Sequence, residues 1–460
     1  MTGRCDIMFC KDFVWGAATA AYQIEGGARE DGKGLSVWDT FCEREGKIEA
    51  RDTGDIACDS YHRYREDVAL MKHMGLKAYR FSLSWPRIIP NGVGQINQKG
   101  IDYYNDLINE LLANGIEPYV TLFHWDYPNE LFYKGAWLNS DSPKWFAEYA
   151  RVCVDAFGDR VKHIITFNEP QCFIGNGFGG GGHAPGLHYG PRELIRMAHH
   201  VMLAHGMAVD VIRERYDDIK IGYAPTGPYF YPEDENNPAD VNAAYNKTFE
   251  TGWAGDGFGW TTAWWLDPIL LGRYPEDGLK FYEKYLPDGW QSDMEVISRP
   301  IDFCGQNLYN AHAIKAGEDG SPQWVRRYTG FPHTGNMWPV TPDAIKWCAL
   351  FTKRRYGDIP VIFTENGMAG SDVISLDGKV HDPNRIDFLH RYLIKLGEAN
   401  DQGANVIGYM QWSLLDNFEW SNGYRDRFGL VYVDYPTGNR IIKDSGYWYR
   451  DVIASNGANL

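Results

Sequence analysis

His163-Ile164-Ile165-Thr166-Phe167-Asn168-Glu169-Pro170 and Val361-Ile362-Phe363-Thr364-Glu365-Asn366-Gly367 decide the reading of this chain. Each is an apolar, β-branched run that reaches a glutamate beside an asparagine and then breaks at Pro or Gly. A carboxylate at the exit of a buried strand is costly to desolvate without a partner. Two in near-matching settings imply one site that uses two carboxyl groups.

Working outward, similar apolar segments recur at 13–19, 78–85, 117–123, 163–169, 220–225, 302–309, 360–366 and 406–413. Amphipathic stretches separate them at 61–74, 102–114, 143–157, 193–215, 342–355 and 385–402. Strand and helix in alternation, with right-handed crossovers, predict parallel strands. Their nearly continuous apolar character fits strands covered on both faces. Eight such units predict an α/β fold, a single (β/α)8 TIM barrel with elaborated loops at its C-terminal face. No low-complexity linker interrupts it, so residues 1–460 are expected to form one catalytic domain. The Gly-rich stretch 175–186 reads as a barrel-top loop. The stretch 226–299, with Trp253, Trp260, Trp264 and Trp265, reads as an elaborated loop and helix between the fifth and sixth strands. Barrel active sites lie at the C-terminal strand ends, so Glu169 and Glu365 should share one mouth despite their distance in sequence.

Composition narrows the partners. A net charge of −16 argues against nucleic acid and anionic membranes, which need basic patches. Aromatics are plentiful at 15% of the chain, which suits a large core and also stacking on sugar faces. The eight cysteines, from Cys5 to Cys348, include no C-x-x-C pair and read as reduced thiols, not a disulfide frame or zinc site. Asp6, Lys11 and Asp12 break any apolar signal region, and no apolar run nears the roughly 20 residues of a membrane span. The expectation is a cytoplasmic protein acting on a small molecule, without cofactor or metal. Whether copies associate as a homo-oligomer is left open.

Two neighbouring carboxyls at one barrel mouth suit glycoside hydrolysis. One must deliver a proton while the other, ionised, supplies electron density to the anomeric carbon. Mutual repulsion raises one, and a nearby cation keeps the other charged. Arg80, in the second strand, is the candidate cation.

The chain closely resembles the family 1 glycoside hydrolases, the β-glucosidase and β-galactosidase group. Four blocks carry the resemblance in the family's order: Phe13 to Gly26, the Thr-Phe-Asn-Glu-Pro block ending at Pro170, Val361 to Ala369, and Gln411 to Trp420. The resemblance implies a retaining double displacement with Glu365 as nucleophile and Glu169 as acid/base, their carboxyls about 5–5.5 Å apart. It further implies that Gln23, His124, Asn168, Glu419 and Trp420 bind sugar hydroxyls, that Trp412 lies under the ring, and that Arg80 and Tyr309 support the nucleophile. Trp338 and Phe428 would wall the aglycone side. Leu308 stands where the family usually has Tyr, and Asn336-Met337 also departs from its pattern.

Glucosinolate-specific members carry Gln at the acid/base, whereas Glu169 is intact. Members acting on 6-phospho-sugars carry Ser-x-Lys-x-Tyr after the last block. Here Glu419 would repel a phosphate and no Lys follows, although Arg425 lies near. The expected activity is therefore an exo-acting β-glucosidase on terminal, non-phosphorylated β-D-glucosyl units of oligosaccharides or glycosides, as in cellulose degradation. Galactosyl or fucosyl tolerance and transglycosylation remain open. A metal-dependent barrel hydrolase would need a His-x-His at the first strand end, where Thr19-Ala20-Ala21 stands instead. Asp126, His183, His199 and His200 lack ligand spacing. A non-catalytic sugar-binding protein is disfavoured by the intact glutamate pair.

Overall fold

The computed structural model describes residues 9–252 and 259–460, so Cys5, Asp6 and Trp253 lie outside it. Eight parallel strands close into a barrel. They are β1 (Val14–Ala18), β2 (Ala78–Ser82), β3 (Glu117–Phe123), β4 (His163–Asn168), β5 (Lys220–Ala224), β6 (Phe303–Asn307), β7 (Val361–Asn366) and β8 (Val406–Trp412). Closure is made by β1, whose Gly16 is opposite Ala78 of β2 on one side and Met410 of β8 on the other. The sheet therefore leaves no unpaired edge.

Each strand leads to a covering helix: α1 (Ser60–His73), α2 (Gln98–Ala113), α3 (Ser142–Phe157), α4 (Pro191–Arg215), α5 (Trp290–Ile297), α6 (Asp343–Tyr356), α7 (Pro383–Asp401) and α8 (Asp444–Ala454). In α2, Ile101, Tyr104, Leu107, Ile108 and Leu111 recur at helical spacing, and all are buried against the barrel.

The strands expected from sequence are all present, the third with the expected bounds and the others with shorter ends. The run 78–85 stops at Ser82 because Trp85-Pro86 opens the short helix Trp85–Ile88, with proline in its first turn. Glu169 lies one residue past β4, with φ at +42°, and Glu365 is the penultimate residue of β7, so neither is a strand's last residue. The Gly-rich stretch begins inside a wide helical turn, Gln171–Gly179.

The stretch 226–299 is richer than one loop and helix. Its described residues include helices Pro238–Phe249, Ala263–Leu271 and Glu276–Tyr282 before α5. Its first strand, Phe230–Pro232, joins His312–Ala316 and Pro322–Trp324 in a small three-stranded sheet outside the barrel. No helix among the described residues is long and apolar enough to cross a membrane.

Candidate active site

Both glutamate-bearing strands lose regular pairing just before the carboxylate. The β4–β5 register shifts between Ile165 and Asn168, and β7 shifts against β6 and β8 after Phe363. Such irregularities re-aim side chains at a barrel rim. Glu169 is further turned by its left-handed backbone, pinned by its own N–H donating to the Ala224 carbonyl at 2.8 Å. Trp125 and Trp420, at φ +79° and +52°, share this unusual conformation.

The two carboxylates have unequal neighbours. Arg80 donates through Nη1 to Glu365 Oε1 at 2.7 Å, and Tyr309 donates its hydroxyl to Glu365 Oε2 at 2.7 Å. The same guanidinium donates from Nε to Thr121 at 3.1 Å, from Nη1 to the Thr364 carbonyl at 3.1 Å, and from Nη2 to Asn168 Oδ1 at 2.5 Å. One buried cation thus ties β2 to β3, β4 and β7. Glu169 has only neutral partners: Asn307 Nδ2 donates to Oε1 at 3.0 Å and the Cys172 thiol donates to Oε2 at 3.2 Å.

Burial and repulsion from Glu365 push Glu169 up to about 8. Burial also raises Glu365, but Arg80 and the Tyr309 hydroxyl oppose it, so the first proton of the pair leaves from Glu365. The pair is therefore unequal: the proton is held on Glu169, and Arg80 and Tyr309 favour ionisation at Glu365.

Asn168 Oδ1 accepts from both Arg80 and Asn307, the latter at 2.9 Å, which forces its NH2 toward His124 Nε2 at 2.9 Å. His124 must then accept at Nε2. Burial, with Arg80 nearby, holds the imidazole well below its ordinary range and neutral. Thr364 in turn donates to Asn307 Oδ1 at 2.6 Å, fixing the amide that grips Glu169.

A cavity of about 490 Å³ opens over the pair. Of the residues expected from sequence, Glu169, Glu365, His124, Tyr309, Trp412, Glu419, Trp420, Trp338 and Phe428 line it. His124 stacks between Trp412 and Trp420, with centroids 5.8 and 5.9 Å away. Trp338 sits 5.1 Å from the Tyr309 ring. Glu419 is raised to about 8 by burial and by repulsion from Asp426, Glu365 and Glu169. Arg80, Asn168 and Gln23 are not in the cavity wall. Gln23 lies behind Glu419, donating to Phe418 O at 2.8 Å and Glu419 Oε2 at 3.3 Å.

Asn307, Thr364, Cys172 and Trp125 hold this arrangement and were not singled out from sequence. Only Cys172 carried a signal, three residues beyond Glu169 on the following turn. Arg425 pairs with Glu49 at 2.5 Å and Asp426 at 3.0 Å and does not face the cavity. Of the histidines, His183 lines the cavity and burial lowers it to about 4. His199 is held by Tyr274 and Asp293, and His200 by the Trp137 carbonyl. Among the described residues no group of three or more His, Cys, Asp or Glu is placed to hold a metal ion.

Known proteins match this chain over nearly its full length. The model of glycosyl hydrolase family 1 matches residues 5–458. "Beta-glucosidase A" of Thermotoga maritima is 45% identical, covering 98% of both chains. "Beta-glucosidase A" of Acetivibrio thermocellus is 44% identical, over 98% of this chain and 99% of that one. The Thermotoga maritima β-glucosidase solved with deoxynojirimycin superposes with a TM-score of 0.88 at 44% identity, over 98% of this chain and 99% of that one. Its glucoimidazole complex gives 0.89 at 45% identity, over 98% and 100%. With this barrel, this glutamate pair and a match running nearly end to end, the chain belongs to glycosyl hydrolase family 1.

Proposed function

We propose that this chain is a retaining, exo-acting β-glucosidase that removes terminal, non-phosphorylated β-D-glucosyl units, with residues 1–460 working as one catalytic unit. The observation that carries this reading is the asymmetry of the pair: a cation and a phenol on Glu365, only neutral donors on Glu169.

Glu365 attacks the anomeric carbon as the bond to the aglycone oxygen breaks, and Glu169 passes its proton to that oxygen. Water then enters, Glu169 takes its proton, and the glycosyl–Glu365 ester breaks to release glucose. Asn168, held by Arg80 and Asn307, is the residue this reading assigns to the 2-hydroxyl. Trp412 underlies the ring, His124, Glu419 and Trp420 bind the remaining hydroxyls, and Gln23 steadies Glu419 from behind. Trp338 and Phe428 face the aglycone. Support for a neutral sugar comes from Glu419 in the wall and from Arg425, engaged by Glu49 and Asp426 away from it. The same intermediate is open to acceptor alcohols, giving transglycosylation. The described cysteines, all free thiols, fit a cytoplasmic setting.

Steady-state kinetics on aryl β-glucosides test the assignment. Glu365→Gln should nearly abolish turnover. Glu169→Ala should lose about 10²–10⁴-fold with poor leaving groups and far less with good ones. Wild-type turnover in the first variant, or a uniform loss in the second, would overturn the roles.

A further inference from the structure

A cluster of charged side chains joins the loops that follow β7 and β8 to the starts of α7 and α8. It consists of Arg385, Arg427 and Lys443 with Asp372, Asp382 and Asp416. Lys443, Asp416, Arg385 and Asp382 are buried, and Asp372 and Arg427 are half-buried at its edge. None of the six lines the catalytic cavity. Replacing buried ion pairs by packed apolar groups is often neutral for stability, so what such a cluster adds is fixed geometry.

Its two ends belong to segments that carry the site. Asp372 follows Glu365 on the loop leaving β7, and Asp416 shortly precedes Glu419 and Trp420 on the loop leaving β8. Two links join these loops. At the first, Arg385 Nη2 donates at 2.8 Å both to Asp372 and to the Arg427 carbonyl, which also accepts from the Gly370 N–H at 2.8 Å. Arg427 is next in sequence to Phe428, on the aglycone side. At the second, Lys443 Nζ donates to Asp372 Oδ2 at 2.5 Å and to Asp416 Oδ1 at 2.6 Å. The residue after Asp416, Asn417, accepts from Gln23 at 3.1 Å, and the same Gln23 amide meets Glu419.

Among the described residues, no other side chain bonds both Asp372 and Asp416. Removing Lys443 nevertheless strands neither carboxylate, because Asp372 keeps Arg385 and Asp416 keeps Arg427. The lysine can therefore be deleted without leaving a buried charge unpaired.

We propose that Lys443 is a positioning residue for catalysis, which holds the segment around Glu419 and Trp420 in register with the loop leaving the nucleophile strand. This rests on the glucosidase reading above and adds to it a residue outside the cavity that governs the grip on the sugar. With Lys443 removed, the link at Arg427 persists, so the aglycone wall keeps its place while the segment around Glu419 is freed to move. A small displacement there weakens hydrogen bonds to sugar hydroxyls that reach full strength in the transition state.

The test is the penalty for deleting a single hydroxyl. We would measure kcat/KM on an aryl β-D-glucoside and on its 2-deoxy, 4-deoxy and 6-deoxy analogues, with the aglycone unchanged. The wild type should favour the parent over the 4-deoxy or the 6-deoxy analogue by about 10²-fold or more. Lys443→Met should shrink that preference about 5- to 10-fold, and the penalty on the 2-deoxy analogue, which probes Asn168, should stay. Asp416→Asn should act in the same direction. Asp382→Asn removes a charge from the cluster but from neither link, so it should lower the urea midpoint and leave the preference unmoved. A Lys443→Met loss of equal size on the parent and every analogue would overturn positioning and reduce the lysine to packing. A wild type indifferent to the 4- and 6-hydroxyls would overturn it as well. Asp416→Asn decides by the same ratio should Lys443→Met not fold. Absence of wild-type turnover on every β-glucoside would instead overturn the glucosidase reading itself.

Discussion

Replacing Glu169 by Gln should remove the proton donor and yet make the folded protein more resistant to alkaline unfolding. Burial and Glu365 raise the Glu169 carboxyl from an ordinary 4.5 to about 8. Between those values the folded protein holds a proton that the unfolded chain has released, so stability contributed at low pH is lost as pH rises toward 8. Each pH unit in that window costs about 1.4 kcal/mol. Because Glu365 shares the site, the order of magnitude between pH 5 and pH 8 is about 2–4 kcal/mol. Glutamine keeps the shape and the partners: Asn307 can still donate to its oxygen, and its NH2 faces the Cys172 sulfur. Urea midpoints of wild type and Glu169→Gln at pH 5, 6.5 and 8 measure the effect. The two proteins should nearly coincide at pH 5, and the variant should be the more stable by pH 8. Parallel curves across the range would show that the acid/base does not hold its proton in the folded state.

Arg80→Met should leave Glu365 without its cation, cut kcat/KM by about 10²–10³-fold at pH 6 and move the acid limb of the pH profile upward. Arg80→Lys should keep that limb near its place while losing about tenfold, since one ammonium cannot span Thr121, Asn168 and Glu365; a Met variant with the wild-type limb would refute the pairing. Cys172→Ala removes one of the two hydrogen bonds to Glu169 that favour its ionised form, so the alkaline limb should rise, whereas Cys172→Ser should leave it close to wild type. A slower Cys172→Ala enzyme with an unmoved limb would reduce the thiol to packing. Gly367→Ala would place a methyl 1.8 Å from the Trp412 carbonyl, forcing β7 and β8 apart. An aryl-glucoside assay should show a loss of about 10²-fold with the far-UV circular dichroism retained, and wild-type activity would deny that this close approach sets the geometry.

The barrel was legible because its signal is periodic: apolar strands and amphipathic helices repeat, and α2 buries the face that its spacing announces. The glutamate pair was legible because buried charge at a strand end is rare. Less legible were the partners that make the pair unequal. Asn307 reads as one more polar residue at the end of a strand, yet its amide reaches from β6 to both Asn168 and Glu169 at the end of β4. Thr364 looks like an ordinary β-former and turns out to fix that amide. Gln23 was expected against the sugar and lies behind the cavity wall, steadying Glu419. The outer sheet escaped sequence reading for a different reason. Its strands are three to five residues long, and two are joined across some eighty residues, so no local pattern pairs them.

The active site is built against the stability of the protein that carries it. Trp125, Glu169 and Trp420 sit in left-handed backbone, at a cost of about 1–2 kcal/mol each for residues other than glycine. Glu169 and Glu365 are buried and Glu419 is half-buried in one cavity wall, and the one charged partner among them, Arg80, bonds Glu365. Relaxing any of these would lower the folded state's energy, and each relaxation would also undo a function: the aim of the acid/base, its retained proton, or the grip on a hydroxyl. What offsets the strain is the closed, edge-free sheet beneath, whose strands cannot shift singly because each is bonded on both sides. The alkaline stabilisation expected of Glu169→Gln is therefore one case of a wider rule for this molecule. Substitutions of the strained or charged groups at the mouth should trade activity for stability, and substitutions that force the strand ends apart, such as Gly367→Ala, should lose both.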